Sequence, residues 1–287
     1  MARYSYVNGR YVPHVDAAVH IEDRGYQFAD GVYEVVTIVA GKLVDVEPHF
    51  DRLARSLGEM KIEWPVARRV LGLIMRELIR RNRLENGILY MQITRGVAPR
   101  DHKFPVGIIP SLIMTTKRID FSAEKKYTNG VSVISIPDQR WSRCDIKTVS
   151  LLPNCFGKQQ AAEAGAYEAW QVDRDGFVTE GTSSNAWIVT QNGHMLTRPP
   201  TNAILNGVTR LSLLQIAEEE GIVLEERAFT LEEAHQAREA FATSATSFVT
   251  PVITIDGKLV GDGVPGALTR QLVAWYTDYV AGLRAIA

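Results

Sequence analysis

Lys147 stands at the end of a polar run and shortly before the more apolar stretch 149–152. A lysine that is withdrawn from water has a lowered pKa, because burial disfavours the charged ammonium. Such a lysine can attack a carbonyl carbon and form a Schiff base. The alternative is a solvated lysine at the end of a strand, since lysine is rarely buried.

Two further stretches could place charged or polar groups around a ligand. Glu180 is followed by Gly181 and three hydroxyl residues, an arrangement that predicts either a loop directing a carboxylate at a cofactor or an ordinary polar turn. Gly207 and Thr209 begin a helical pattern, so backbone N–H groups there form either an anion site or a common helix cap.

A third stretch, Pro99-Arg100-Asp101-His102, follows a predicted strand. Arg100 and His102 are one residue apart, and in an extended segment such residues face the same side. A guanidinium matches a carboxylate in two places, so the pair could clamp a substrate carboxylate. The alternative is a loop with solvated charges.

Helices and strands that must position these groups alternate without the regular spacing of a Rossmann or barrel fold, which indicates an α+β architecture. The main predicted elements are a hairpin at 4–12 around Asn8-Gly9, a strand pair at 32–39 and 43–46, helices at 47–60, 66–79, 154–164, 208–220, 231–238 and 267–283, and strands at 89–94, 108–115, 131–136, 167–172, 185–190, 240–243 and 248–255. A polar stretch at 117–129 is a predicted linker, which divides the chain into domains 1–120 and 121–287, the second carrying Lys147.

Composition narrows the function classes. The chain has 287 residues with 32 Lys and Arg against 33 Asp and Glu, a balance that disfavours nucleic-acid binding. No apolar run reaches the roughly 18 to 20 residues of a membrane helix, and the opening residues lack the apolar stretch of a signal peptide. Two cysteines and six scattered histidines predict no metal site, and the cysteine count suits a reducing cytoplasm. We therefore expect a cytoplasmic enzyme.

The polar stretches, taken together and in order, resemble pyridoxal-phosphate-dependent aminotransferases of fold type IV, and within them the D-amino acid branch. The resemblance covers about residues 4 to 260, and the stretch 100–102 points to the D-amino acid branch. It is carried by Phe28-Ala29-Asp30-Gly31-Val32-Tyr33-Glu34, Arg52, Thr94-Arg95-Gly96, Pro99-Arg100-Asp101-His102, Asp145-Ile146-Lys147, Leu151-Leu152-Pro153-Asn154, Glu180-Gly181-Thr182-Ser183-Ser184-Asn185 and Ile204-Leu205-Asn206-Gly207-Val208-Thr209.

The resemblance implies a role for each matching residue. Lys147 is implied to bind pyridoxal 5′-phosphate and to shuttle the proton of the substrate α-carbon. Glu180 is implied to pair with the pyridine nitrogen, so that the ring accepts negative charge. Phosphate contacts are implied for Arg52, Val208, Thr209 and the stretch Ser244-Ala245-Thr246, whereas Leu205 packs on the ring. Tyr33, Arg100 and His102 are implied to hold the substrate carboxylate.

Some positions depart from the family pattern. Ala245 stands where threonine is common, so Ser244, Thr246 or backbone N–H groups must complete the phosphate contacts. Lys158 is a rival for the cofactor lysine, but its helical surroundings predict a surface position.

The function implied is transfer of an amino group between a D-amino acid and a 2-oxo acid, such as D-alanine and 2-oxoglutarate. The family's Arg and His reach in from the neighbouring subunit, which implies a homodimer. Alternatives within the fold are a branched-chain L-amino acid or (R)-amine transaminase and an aminodeoxychorismate lyase. A non-catalytic protein that keeps the fold is the alternative from another class.

Overall fold

The computed structural model describes residues 3–121, 125–282 and 286. It divides into two compact units. The first comprises Met1–Ser122 and Ile146–Ser150, and the second comprises Ala123–Asp145 and Leu151–Ala287.

The short segment that carries Lys147 joins the first unit through backbone contacts. Thr148 forms an isolated antiparallel bridge with Val32. The Tyr33 amide donates to the Lys147 carbonyl at 3.0 Å. The division therefore differs from the one we drew from sequence, which placed Lys147 in the second domain.

An antiparallel sheet of six strands forms the first unit. Its strands are β1 (Tyr4–Val7), β2 (Arg10–Pro13), β3 (Gly31–Val39), β4 (Lys42–Leu43), β5 (Gly87–Thr94) and β6 (Ser111–Arg118). They are ordered β2-β1-β6-β5-β3-β4. The helices are α1 (Arg24–Phe28), α2 (Val46–Met60) and α3 (Arg68–Asn82), with a 3₁₀ turn at His14–Asp16. Phe50, Leu53 and Leu57 of α2 are buried in the core, and the helix predicted at 47–60 is confirmed.

The predicted hairpin at the start of the chain is confirmed. Tyr6 lies opposite Tyr11, so Asn8 and Gly9 form the connection. Both have positive φ, 44° and 92°, which is the conformation that an Asn-Gly turn supplies. In contrast, the strand predicted at 43–46 is too long, because α2 begins at Val46.

A mixed sheet of nine strands forms the second unit. Its strands are β7 (Val131–Pro137), β8 (Glu168–Val172), β9 (Val178–Gly181), β10 (Asn185–Val189), β11 (Met195–Thr197), β12 (Leu224–Glu226), β13 (Glu239–Ser244), β14 (Phe248–Ile255) and β15 (Lys258–Leu259). They are ordered β12-β11-β10-β13-β14-β7-β8-β9, and β15 pairs with β14. The helices are α4 (Lys126–Asn129), α5 (Leu152–Glu163), α6 (Val208–Glu219), α7 (Leu231–His235) and α8 (Ala267–Val280).

The predicted linker at 117–129 lies partly outside the described residues, since 122–124 are not described, and the end of the last predicted helix, at 283, also lies outside them. Within the described part, β6 continues to Arg118 and α4 begins at Lys126. Across the residues that are described, no helix is long and apolar enough to cross a membrane.

Candidate active site

Lys147 is half-buried beside an aromatic ring. Its Nζ lies 4.2 Å from the centroid of the Tyr33 ring, at a distance where the ring face attracts a cation. The Lys147 amide lies 3.5 Å from Oγ of Ser56, on α2. The amine therefore has a defined position, unlike the fully solvated lysine that was the alternative from sequence.

Tyr33 belongs to a polar face of the first sheet that sequence reasoning missed. Gln92 lies opposite Tyr33 in the β3–β5 pairing, and the Tyr90 hydroxyl donates to Gln92 Oε1 at 2.7 Å. Burial, and to a smaller extent the nearby Tyr33, raises the pKa of Tyr90 to about 12. This phenol therefore stays protonated at neutral pH. The sequence does carry a signal, because polar and apolar residues alternate along β5. The face opposite Tyr90 and Gln92 is buried in the core and consists of Leu89, Met91 and Ile93.

Arg52 is held by a buried carboxylate on the neighbouring strand. Its Nε and Nη2 donate to Glu34 at 2.9 and 2.7 Å, and His49 Nδ1 lies 2.7 Å from Glu34 Oε2. Glu34 shares the inward face of β3 with Val32 and Val36, and none of the three is exposed. Burial acts to raise the pKa of Glu34, but Arg52 and His49 outweigh it and lower that pKa to about 2. Glu34 thus fixes Arg52 as an oriented cation.

Arg100 and His102 come together on one aromatic ring. The Arg100 guanidinium carbon lies 4.5 Å from the Phe28 centroid, and the His102 ring lies 5.4 Å from the same centroid. Both side chains are exposed, and their segment is an irregular loop after β5. The expected extended segment is therefore wrong, although the two side chains do share a side, because both contact Phe28 at the end of α1.

Glu180 is a buried strand residue, which corrects the prediction of a loop or polar turn at this position. It lies near the end of β9 and is 6% exposed. Its Oε2 accepts from Asn185 Nδ2 and from the Leu205 amide, each at 3.1 Å, and its Oε1 accepts from Arg140 Nη1. The turn that follows is tied to another buried carboxylate, Glu168, by the hydroxyls of Thr182, Ser183 and Ser184.

The start of α6 lies close to the loop that carries Leu205. The N-cap residue is Gly207, which has no side-chain cap, so the amides of the first turn are not satisfied by a capping side chain. A Cβ on Gly207 would lie 2.2 Å from Asn185 Oδ1, so only glycine fits there without a shift. Val208 and Thr209 are buried, and the Thr209 hydroxyl lies 3.4 Å from that of Tyr276.

Ser244, Ala245 and Thr246 lie at the turn between β13 and β14. The Ser244 hydroxyl lies 3.2 Å from that of Thr246 and 2.7 Å from that of Ser247. The turn therefore gathers three hydroxyls around the position where Ala245 replaces the family's usual threonine.

Lys158 lies on α5 with its side chain 45% exposed, as predicted for this rival lysine. Its Nζ donates to the Tyr167 carbonyl at 2.5 Å. In the described part of the chain, no cluster of three or more His, Cys, Asp or Glu side chains could hold a metal ion.

Comparison with known proteins defines the class. The family described as class IV amino-transferases matches residues 31–255. The chain is 46% identical to the D-alanine aminotransferase of Bacillus licheniformis over 265 residues, which cover 92% of this chain and 93% of that protein. It is 40% identical to the D-alanine aminotransferase of Staphylococcus haemolyticus, over 96% of this chain and 97% of the other.

Solved structures agree on the fold. The branched-chain amino acid aminotransferase of Escherichia coli has a TM-score of 0.90 at 23% identity, covering 99% of this chain and 96% of that one. The enzyme of the same description from Thermoproteus uzoniensis has a TM-score of 0.87 at 24% identity, covering 98% and 96%. The chain belongs to the class IV aminotransferases, which confirms the assignment made from the sequence motifs.

Proposed function

We propose that the protein is a pyridoxal-phosphate-dependent transaminase that moves an amino group between a D-amino acid and a 2-oxo acid, with D-alanine and 2-oxoglutarate as the expected pair. The observation that carries the proposal is the 46% identity to a D-alanine aminotransferase over 92% of the chain. The branched-chain aminotransferases share the fold at 24% identity or less, so they do not favour an L-amino acid substrate.

The residues present fit the phosphate of the cofactor. The uncapped first turn of α6 offers amides and the positive end of a helix dipole to an anion. Thr209, Ser244 and Thr246 of the same unit offer hydroxyls, and Arg52, to which the resemblance gives a phosphate contact, is an oriented cation of the first unit. We assign the phosphate to these groups and the ring contact to Leu205, whose backbone is tied to Glu180 and Asn185.

When bound, pyridoxal phosphate supplies an electrophilic carbon that takes the amino group and a ring that accepts negative charge. Lys147 is the residue that binds it covalently and then moves a proton at the substrate α-carbon. The Tyr33 ring, whose centroid lies 4.2 Å from Lys147 Nζ, helps to orient this amine. We assign Glu180 to the ring nitrogen, because its buried carboxylate is oriented by hydrogen bonds from Arg140, Asn185 and the Leu205 amide.

Arg100 and His102 bind the substrate carboxylate, and Tyr33 assists them. Two exposed groups on one side of a loop suit a ligand that approaches from outside their own subunit. We therefore propose a homodimer in which this loop of each subunit contributes Arg100 and His102 to the substrate site of the other subunit. The loop also exposes Val106 fully and Ile109 by 82%, which suits burial against a second copy.

The proposed location is the cytoplasm, where the two free thiols, Cys144 and Cys155, would stay reduced.

The test is a coupled assay with 2-oxoglutarate as acceptor and D-alanine, L-alanine, L-leucine or a simple (R)-amine as donor. We expect turnover with D-alanine to exceed turnover with each other donor by at least about a hundredfold, which corresponds to about 2.7 kcal/mol. Comparable rates with L-leucine would contradict the proposed substrate class. A colourless protein, with no absorbance from a bound cofactor, would contradict the cofactor assignment.

A further inference from the structure

Asp138 has no part in the function proposed above, yet it holds the arginine that contacts Glu180. Its Oδ1 accepts from the Arg140 amide and from Nε, each at 3.0 Å, and its Oδ2 accepts from Nη2 at 2.7 Å. The remaining nitrogen, Nη1, donates to Glu180. The side chains of Asp138, Arg140 and Glu180 are 12%, 7% and 8% exposed. The result is a nearly dry row of carboxylate, guanidinium and carboxylate.

The pKa values of Asp138 and Arg140 are shifted in the directions that keep both groups charged. Burial acts to lower the pKa of Arg140, but hydrogen bonds from Asp138 and the charge of Glu180 outweigh it, so that pKa lies above its usual range. Burial acts to raise the pKa of Asp138, but Arg140 and the Thr179 hydroxyl outweigh it and the pKa is lowered. Asp138 and Arg140 therefore stay a carboxylate and a cation.

The net charge of Asp138, Arg140 and Glu180 affects how strongly Glu180 stabilises a protonated ring nitrogen beside it. Arg140 and Glu180 alone would sum to zero, and a neutral pair gives little reason for a nearby ring nitrogen to keep its proton. Asp138 adds a second negative charge, so the three groups sum to one negative charge. In a site with little water, one charge several ångströms away changes a protonation equilibrium substantially.

We propose that Asp138 is a positioning residue for transamination, which neutralises Arg140 so that Glu180 retains the negative charge needed to hold a protonated pyridine nitrogen. Asp138 itself touches no reacting atom. The proposal rests on the role given to Glu180 under the proposed function.

A purely structural role for Asp138 predicts something different. The Asp138 amide donates to the Val172 carbonyl at 2.8 Å, and its Oδ2 lies 2.7 Å from the Thr179 hydroxyl. If these contacts were its only purpose, loss of the negative charge would change stability but not the protonation of the cofactor. An experiment can therefore distinguish an electrostatic role of Asp138 from a structural one.

The experiment measures the ring nitrogen directly, by nitrogen-15 NMR of holoenzyme that is loaded with labelled pyridoxal phosphate. Asp138→Asn keeps the size of the side chain and removes its charge. We expect its nitrogen signal to move from the protonated toward the unprotonated position, and kcat with D-alanine to fall by about tenfold or more. Asp138→Glu restores the charge and should return the signal toward that of the wild type.

Asp173 offers a matched control. It lines the same cavity as Asp138 and Arg140, and it pairs with Arg198 at 2.8 Å instead of with Arg140. Asp173→Asn should leave the nitrogen signal unchanged, since it removes a charge outside the row. If Asp138→Asn kept the protonated signal, or if Asp173→Asn shifted it equally, the proposal would be overturned.

A third variant separates this proposal from the proposed function. Glu180→Gln should give the unprotonated signal if Glu180 is the partner of the ring nitrogen. A signal that moves in Glu180→Gln but not in Asp138→Asn overturns the role of Asp138 alone. A signal that moves in neither overturns the role of Glu180, and with it the basis for Asp138.

Discussion

Each unit of the molecule contains a buried cluster of a carboxylate and an arginine that we assign to the cofactor, but the two clusters have opposite tasks. In the first unit, Glu34 is the positioning group and Arg52 is the cation that we assign to the cofactor phosphate. In the second unit, Arg140 is the positioning group and Glu180 is the anion that we assign to the ring nitrogen.

The two clusters also differ in how their charge is balanced. Glu34 is wholly buried and bonds both Arg52 and His49, so its removal leaves a poorly compensated cation. Arg140 is shared by two carboxylates, so the second cluster keeps a net negative charge. Glu34 orients Arg52 and balances its charge, whereas Arg140 orients Glu180 without cancelling the negative charge of the second cluster.

The largest effect that we expect from breaking the first cluster is on stability. Glu34→Gln removes the anion beside Arg52, and loss of one partner of a buried ion pair costs about 3 to 5 kcal/mol. The measurement is the free energy of unfolding in urea at neutral pH. Arg68→Ala, which breaks an exposed pair with Asp51, is the control and should cost less than about 1 kcal/mol. Equal losses would mean that the burial of Glu34 is energetically unimportant.

The second cluster should affect chemistry more than stability. Glu180→Gln keeps the shape of the side chain but removes its charge, so proton abstraction from D-alanine should slow by about a hundredfold or more. The rate is measured in a single turnover, which isolates the half-reaction from product release. Cofactor binding should persist in this variant. An unchanged single-turnover rate would rule out the role given to Glu180.

Low pH should also weaken the contribution of the first cluster to the free energy of unfolding. The folded-state pKa of Glu34, about 2, lies below the ordinary value of 4.5, so its stabilisation is present above pH 4.5 and is lost as the pH falls toward 2. The full loss corresponds to about 3 kcal/mol. Unfolding free energies of the wild type should therefore fall over this window, and those of Glu34→Gln should fall less. Parallel curves for both proteins would contradict the lowered pKa of Glu34.

A smaller effect is expected from Arg100, whose side chain is exposed. Arg100→Ala should raise KM for D-alanine about ten- to hundredfold, because a charge-assisted hydrogen bond contributes on the order of 1.5 to 3 kcal/mol. KM for a simple (R)-amine, which has no carboxylate, should change little. Equal losses for both donors would show that Arg100 acts on structure instead of on the substrate.

Local sequence patterns predict those features that are determined by residues close together in the chain. The sequence predicts the Asn8-Gly9 hairpin, the helix at 47–60 and the family motifs. The glycine and hydroxyl residues after Glu180 predict a loop or a turn at this position, whereas the strand ends only at Gly181. Its acidic side chain is buried in β9 because Arg140, 40 residues earlier, compensates its charge.

Residues that act through distant contacts could not be predicted. Asp138 and Arg140 form an unremarkable polar pair in the sequence, and only the pairing of β7, β8 and β9 places them beside Glu180. Tyr90 and Gln92 lie in a strand whose polar and apolar residues alternate, but they belong to no recognisable motif. The resemblance implies a role for Arg52 but none for its partner Glu34, which lies in the motif 28–34.

The identity of the lysine that binds the cofactor is the claim on which the account depends most. The direct measurement is borohydride reduction of the purified holoenzyme, followed by peptide mass mapping. Lys147, half-buried beside the Tyr33 ring, is predicted to carry the added mass of the reduced cofactor. Lys158, exposed and bonded to the Tyr167 carbonyl, is predicted to carry none. Cofactor mass on the Lys158 peptide, with Lys147 unmodified, would contradict the account.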